Sequence, residues 1–273
     1  MHGGPTPDPA YVGARTVLLD VLEYLNVHRD SVILVGAQAI YLHVGDDDLA
    51  IAPHTTDGDL VIDPNRLLDE PRLSTLLAQA GFTLAIRPGT WRRHDVPIDL
   101  LVPTALAGPG RRGARLGPHG NDVARRAAGL EATLVDHAHM RIRSLERTDV
   151  REFDVRVAGV ASLLVAKVHK LAERQHDVRR LEAKDALDVL RLLRHSPTAD
   201  LARTLARLER DPLAGVSTTE ARTLLAAMFG SRDGVGASMA AHATVGLENA
   251  DTVRQSCEVL TKRLMNAWGA QRD

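Results

Sequence analysis

Hydrophobic positions change period along the chain. From Ala14 to Val27, the apolar residues Val17, Leu18, Val21, Leu22 and Leu25 recur at helical spacing, predicting an amphipathic helix of about four turns. The period then shortens. Ser31–Val35 is an apolar, β-branched run that stops at Gly36, and Ala37–His43 is helical again, so the stretch reads as strand, tight turn, helix. Strands are expected at Asp57–Asp63, Phe82–Arg87 and Val96–Val102, the last closed by Pro103, with a helix over Arg72–Ala80 that Gly81 ends. Residues 104–129 are rich in Gly, Pro and Arg without a clear period and read as a mobile basic loop, with a helical turn at Asp122–Ala128. Short strands are expected at Ala132–Val135, Met140–Leu145 and Phe153–Val157.

From Gly159 the pattern is helical: Val160–Arg174, Ala183–Leu193, Thr198–Arg207, Thr218–Phe229 and Leu247–Trp268. Ser217 with Glu220 reads as a capping-box start for the fourth of these. The expected fold class is α+β, with an α+β domain over residues 1–155 and a helical domain over 156–273.

Composition narrows the picture. With 44% hydrophobic and 25% charged residues, the chain can bury a sizeable core and is not expected to be disordered. No apolar run reaches the roughly 20 residues of a membrane helix, so a soluble protein without a membrane partner is expected. The single cysteine, Cys257, excludes intramolecular disulfides and Cys-built zinc sites, in keeping with a cytoplasmic protein. The net charge of −1 hides an asymmetry: residues 1–110 carry 7 basic and 14 acidic side chains, and residues 111–273 carry 27 and 21. An acidic half followed by a basic half reads as a metal-collecting region beside an anion-accepting one, or as two solvated surfaces of opposite sign. Only Lys167, Lys170, Lys184 and Lys262 among the basic residues are lysine, and three of them lie within eighteen positions. That grouping suggests a need for a compact ammonium there.

Candidate chemistry concentrates in two blocks. Asp57 and Asp59 are two apart on a predicted strand, so both carboxylates project from one face, a seat for a hard divalent cation with phosphate oxygens completing its shell. Asp99, between Ile98 and Leu100 in another strand, can join them in an adjacent pairing. Gly36 ends a strand and opens a helix, where backbone N–H groups can receive phosphate. In the second block, Lys167, Lys170 and Arg174 fall on one helix face suited to phosphate or RNA, or else pair locally with Asp185 and Asp188. His137 and His139 lack a third ligand at a recognisable zinc spacing. Trp91, flanked by Arg92 and Arg93, reads as a base-stacking aromatic or a buried anchor. Arg111, Arg112, Arg115, Arg125 and Arg126 read as an RNA-backbone contact or a solvated basic loop.

Strand, glycine, helix, then a strand with D-x-D and a strand with a third aspartate, resembles the nucleotidyltransferase fold of the DNA polymerase β-like superfamily. V-G-x-x-A from Val35 and T-x-D-x-D-L from Thr55 resemble more specifically the AbiEii-type nucleotidyltransferase toxins, including the MenT group. Leu164–Arg174 followed by Ala183–Leu193 is similar to that family's helical pair. The resemblance implies a mixed sheet with flanking helices followed by a helical bundle. It implies that Asp57, Asp59 and Asp99 bind Mg2+, with Asp99 alternatively taking the acceptor's proton, and that Gly36 and Ala37 form the phosphate-facing turn. Thr55 and Thr56 would offer hydroxyls to phosphate, and Lys167 would neutralise the triphosphate. Asp185 and Asp188 would match the paired aspartates of the helical motif, and Lys170 with Asp188 would assist nucleotide binding. The implied reaction moves a nucleoside monophosphate from an NTP to an acceptor hydroxyl, the 3′ end of tRNA, in a toxin that a separate antitoxin protein neutralises. A small aminoglycoside-like acceptor, a protein acceptor, or a non-catalytic nucleotide- or protein-binding domain are the alternatives. The chain departs from the family pattern at Ala37, in the long segment carrying Asp46, Asp47 and Asp48, and at Pro53 and His54.

Overall fold

Two units divide the chain, and the division is not a single cut. Residues 1–127 with 137–158 form the first, and 128–136 with 159–273 the second. The computed structural model describes residues 8–45, 55–174 and 183–271. Asp46, Asp47, Asp48, Pro53 and His54 lie outside the described residues.

The first unit is built on a mixed sheet. Its elements are α1 (Pro9–Tyr24), β1 (Val32–Val35), α2 (Gly36–Val44), β2 (Gly58–Ile62), α3 (Leu73–Gln79), β3 (Thr83–Leu84), β4 (Thr90–Arg93), β5 (Val96–Pro103), β6 (Arg125–Ala127), β7 (His137–Arg143) and β8 (Glu152–Ala158). The strand order is β3-β4-β5-β2-β1-β8-β7, with β6 also on β5. β1 runs antiparallel to β2 and parallel to β8, and β2 runs parallel to β5. All four residues of β1 are buried, as a central strand covered on both faces requires. Asp8 caps α1 by accepting from the Ala10 N–H at 2.7 Å, and Pro9 takes the first helical position, where no N–H is needed. Leu18, Leu19, Ile33, Leu34, Ile40, Leu60 and Ile62 form the fully buried centre.

The second unit is helical: α4 (Val160–Arg174), α5 (Ala183–His195), α6 (Thr198–Glu209), α7 (Gly215–Phe229), α8 (Val235–Ala243) and α9 (Ala250–Gly269). α4 packs on α5 and α7, and α9 on α6 and α8. Phe229, Cys257 and Trp268 lie in its core. Burial pushes the Cys257 thiol up to about 11. Native protein at pH 8 should therefore resist iodoacetamide, and unfolded protein should take up one equivalent, as intact mass would show.

Several elements differ from the sequence expectation. β3 keeps only Thr83–Leu84, and β4 occupies a stretch for which the sequence pattern predicts no element. Residues 122–128 contribute β6 rather than a helical turn, because Arg125–Ala127 pair with Leu101–Pro103. Glu131–Leu134 is a short 3₁₀ helix, not a strand. α7 begins at Gly215, so Ser217 lies inside it and its hydroxyl donates to the Ala214 carbonyl instead of capping. α9 starts after Asn249, whose side chain accepts from the Asp251 and Thr252 N–H groups. Among the described residues, no helix is long and apolar enough to cross a membrane.

Candidate functional site

A row of polar side chains crosses the centre of the first unit's sheet. In the β1/β2 ladder Asp59 stands opposite Val35, and in the β2/β5 ladder it stands opposite Asp99. Directly opposed residues on neighbouring strands project to the same face, so Asp59 and Asp99 are side by side. Thr90 of β4 pairs with Asp99 and extends the row by one strand. The chain after Val35 turns at once into α2, and the Asp59 carboxylate lies against that turn. Gly36 has φ +72°, and a Cβ there would fall 2.3 Å from Asp59 Oδ2. No side chain caps α2 at Val35. Its first N–H groups, including those of Gly36 and Ala37, thus form a helix start of the kind that receives anions.

Replacing Gly36 with alanine meets both obstacles. The left-handed conformation alone costs about 1–2 kcal/mol for a residue with a Cβ, and the Asp59 carboxylate must move. A denaturant titration of Gly36→Ala should show at least that loss of stability.

Asp57 immediately precedes β2. Thr55, 1% exposed, donates its hydroxyl to Asp57 Oδ1 at 2.6 Å, while Thr56 is exposed. Gln38, buried in the first turns of α2, donates Nε2 to the Asp57 carbonyl at 3.0 Å. Gln38 in turn accepts from Arg15 Nε at 2.8 Å, and Arg15 also bonds the Tyr11 hydroxyl and the Arg143 carbonyl. This buried chain fixes the backbone at Asp57 to α1 and α2. Sequence reading missed Arg15 and Gln38, and only the placement of Gln38 two residues after Gly36 hints at its role.

Asp99 is held on both oxygens. Thr90 Oγ1 donates to Oδ1 at 2.6 Å, and Arg125 of β6 donates to Oδ2 at 2.7 Å. Burial pushes the Asp99 carboxyl up, but Arg125, the Thr90 hydroxyl and Arg87 outweigh it and hold the group below the usual carboxylate range. Among the described residues, no cluster of three or more His, Cys, Asp or Glu side chains is disposed to hold a metal. Asp57 lies just before β2 and not on it as expected, so strand geometry does not align its carboxylate with that of Asp59; the two are hard oxygen donors two residues apart. That set fits magnesium, which retains water and shares phosphate oxygens instead of needing an all-protein cage.

The helical unit brings its own candidates together. Lys167 Nζ lies 2.7 Å from both Asp185 Oδ1 and Asp188 Oδ2. Lys170 and Arg174 reach Asp185 at 3.1 and 3.3 Å, and Arg191 reaches Asp188 at 3.0 Å. The basic face of α4 therefore closes on the acidic face of α5. Asp185 is fully buried and Lys167 is 5% exposed. Burial opposes the charge on each; the Lys167 ammonium, with Lys170, drives Asp185 far below the carboxylate range, and the two aspartates drive Lys167 far above the amine range.

The remaining candidates have ordinary partners. Trp91 is buried and donates its indole N–H to the Val123 carbonyl at 2.9 Å. His137 bonds Arg156, and His139 pairs with Asp154 at 3.4 Å. Arg126 donates to the Gly110 and Thr104 carbonyls, whereas Arg111, Arg112 and Arg115 are exposed. No family model, curated protein or solved structure matches the chain.

Proposed function

We propose that the chain is a magnesium-dependent nucleotidyltransferase of the polymerase β-like fold, acting in the cytoplasm. The observation that supports this reading best is the seating of Asp59 against the Gly36 turn, with Asp57 two residues before it. A carboxylate pair beside an uncapped helix start offers a cation site and an anion site side by side. Magnesium bound by Asp57 and Asp59 would offset the charge of a triphosphate. The acceptor hydroxyl oxygen bonds to the α-phosphorus, the bond to the β-phosphate oxygen breaks, the hydroxyl proton is lost to a base, and pyrophosphate leaves. The N–H groups at the start of α2 would hold the triphosphate, and the chain Arg15–Gln38–Asp57 would keep the first carboxylate in register. By resemblance, the acceptor is the 3′ end of tRNA, the biological role is that of a toxin, and the partner is an antitoxin protein.

Purified protein incubated with Mg2+, each α-labelled NTP in turn and total tRNA should place label on tRNA. Label on a small hydroxyl acceptor or on protein, with tRNA unlabelled, would keep the chemistry and overturn the tRNA and toxin reading. Binding of NTP with no transfer to any acceptor would overturn the enzyme.

A further inference from the structure

Two short strands share one edge of β5. β4 pairs with Val96–Asp99 and β6 with Leu101–Pro103. They meet at Gly89, whose φ is +76° and where a Cβ would lie 2.4 Å from the Arg125 backbone nitrogen. Only a residue without a side chain permits that approach. The Gly89 N–H donates to the Asp122 carbonyl and the Gly89 carbonyl accepts from Leu100, which locks the junction. Its consequence is that Thr90 and Arg125, from different strands, engage the two oxygens of one carboxylate, Asp99.

The Arg125 side chain is only 16% exposed and that of Asp99 18%. Moving a divalent cation onto Asp99 would take away the counter-charge of a largely buried guanidinium and set a second cation beside it, which a low-dielectric site penalises. Arg125 itself has donors left. One terminal nitrogen bonds Asp99, Nε is buried without a partner, and the other terminal nitrogen makes no hydrogen bond to the described residues. A planar guanidinium held at one end by a carboxylate is preorganised to receive a phosphate at its remaining terminal nitrogen.

We propose that Asp99 anchors Arg125 rather than ligating metal, and that Arg125 is a fixed receptor for a polyphosphate beside Asp59. Positive charge on this side of the row then comes from a guanidinium, and any metal is confined to Asp57 and Asp59. The identity of the polyphosphate as the triphosphate of a nucleotide rests on the nucleotidyltransferase reading; the receptor itself does not.

Two titrations test it on the full chain. In calorimetry with sodium tripolyphosphate and EDTA, Arg125→Gln should weaken binding by about tenfold or more, as loss of charge-assisted hydrogen bonds does. Arg125→Lys, which keeps the charge but not the fork, should fall between the two. In a Mn2+ titration read by electron paramagnetic resonance, Asp99→Asn should leave affinity within about twofold, whereas Asp59→Asn should lower it by tenfold or more. Equal losses of Mn2+ from Asp99→Asn and Asp59→Asn would overturn the anchor. Tripolyphosphate that does not bind the parent, or binds Arg125→Lys and any folded Arg125→Gln as tightly as the parent, would overturn the receptor. Arg125-dependent tripolyphosphate binding in a protein that labels no acceptor would sink the transferase alone and leave the receptor standing.

Discussion

Asp59→Ala is expected to abolish nucleotide transfer, by about a thousandfold or more, while leaving the protein folded. The site is the reason for the first part. Asp59 is the carboxylate that meets both the Gly36 turn and the neighbouring strand, so its removal separates the metal position from the phosphate position. The second part follows from its surroundings. Asp59 is half-buried at the start of a strand and not part of the apolar core, so shortening it creates no core cavity. A stability change within about 1 kcal/mol is expected. Single-turnover transfer beside a thermal melt checks both parts. A folded variant that keeps more than about a tenth of the parent rate would remove Asp59 from the chemistry.

Lys167→Met should destabilise the helical unit by about 3–5 kcal/mol. The ammonium is shared by Asp185 and Asp188, and its loss leaves two carboxylates that are 0% and 2% exposed without their common cation. Lys170, Arg174 and Arg191 remain, but each reaches only one of the two at 3.0 Å or more. The triple variant Lys167→Met, Asp185→Asn, Asp188→Asn removes the stranded carboxylates but takes the partners from Lys170, Arg174 and Arg191, so it should recover only part of the loss. Urea titrations of the parent, single and triple variants measure the difference. The pH dependence has a definite sign. Asp185 is held below its ordinary 3.8, so its contribution is complete above that pH and is lost only as pH falls through the lower folded value. Lys167 is raised above its ordinary 10.5, so its contribution is complete below that pH and is lost only at still higher pH. The parent should therefore show no stability step from this cluster between those limits.

What the sequence made legible was what local chemistry decides. The β1–Gly36–α2 turn follows from an apolar β-branched run, a glycine and a resumed helical period. α4 and α5 follow from strong amphipathic patterning. The pairing of Asp59 with Asp99 could only be suggested, because it depends on which strands become neighbours. Other features were hidden for the same reason. β4 reads Thr-Trp-Arg-Arg and β6 Arg-Arg-Ala, polar segments that become strands by filling the two halves of one edge of β5. α8 carries small residues where a helix usually shows large ones, since Gly236 packs against the Phe229 ring and a Cβ would lie 2.5 Å from it. The basic face of α4 was visible, but its closure on α5 was one of two readings that spacing alone leaves open. Arg125 was visible only as one arginine in a basic stretch, for nothing in its local sequence ties it to Asp99, 26 positions away.

The return of the chain to the first unit after residue 136 sets an order on biosynthesis. β1 lies between β2 and β8, and its partners on the far side, Arg156 and Val157, leave the ribosome more than a hundred residues after Val35. Until then the nascent chain carries an apolar Val-Ile-Leu-Val edge with one side unpaired, a template for association with other chains. A fragment that stops before Arg156 keeps that edge open permanently. Completing the sheet thus requires the chain to pass through residues 128–136 of the other unit first, so the sheet cannot close during synthesis before part of that unit has been made.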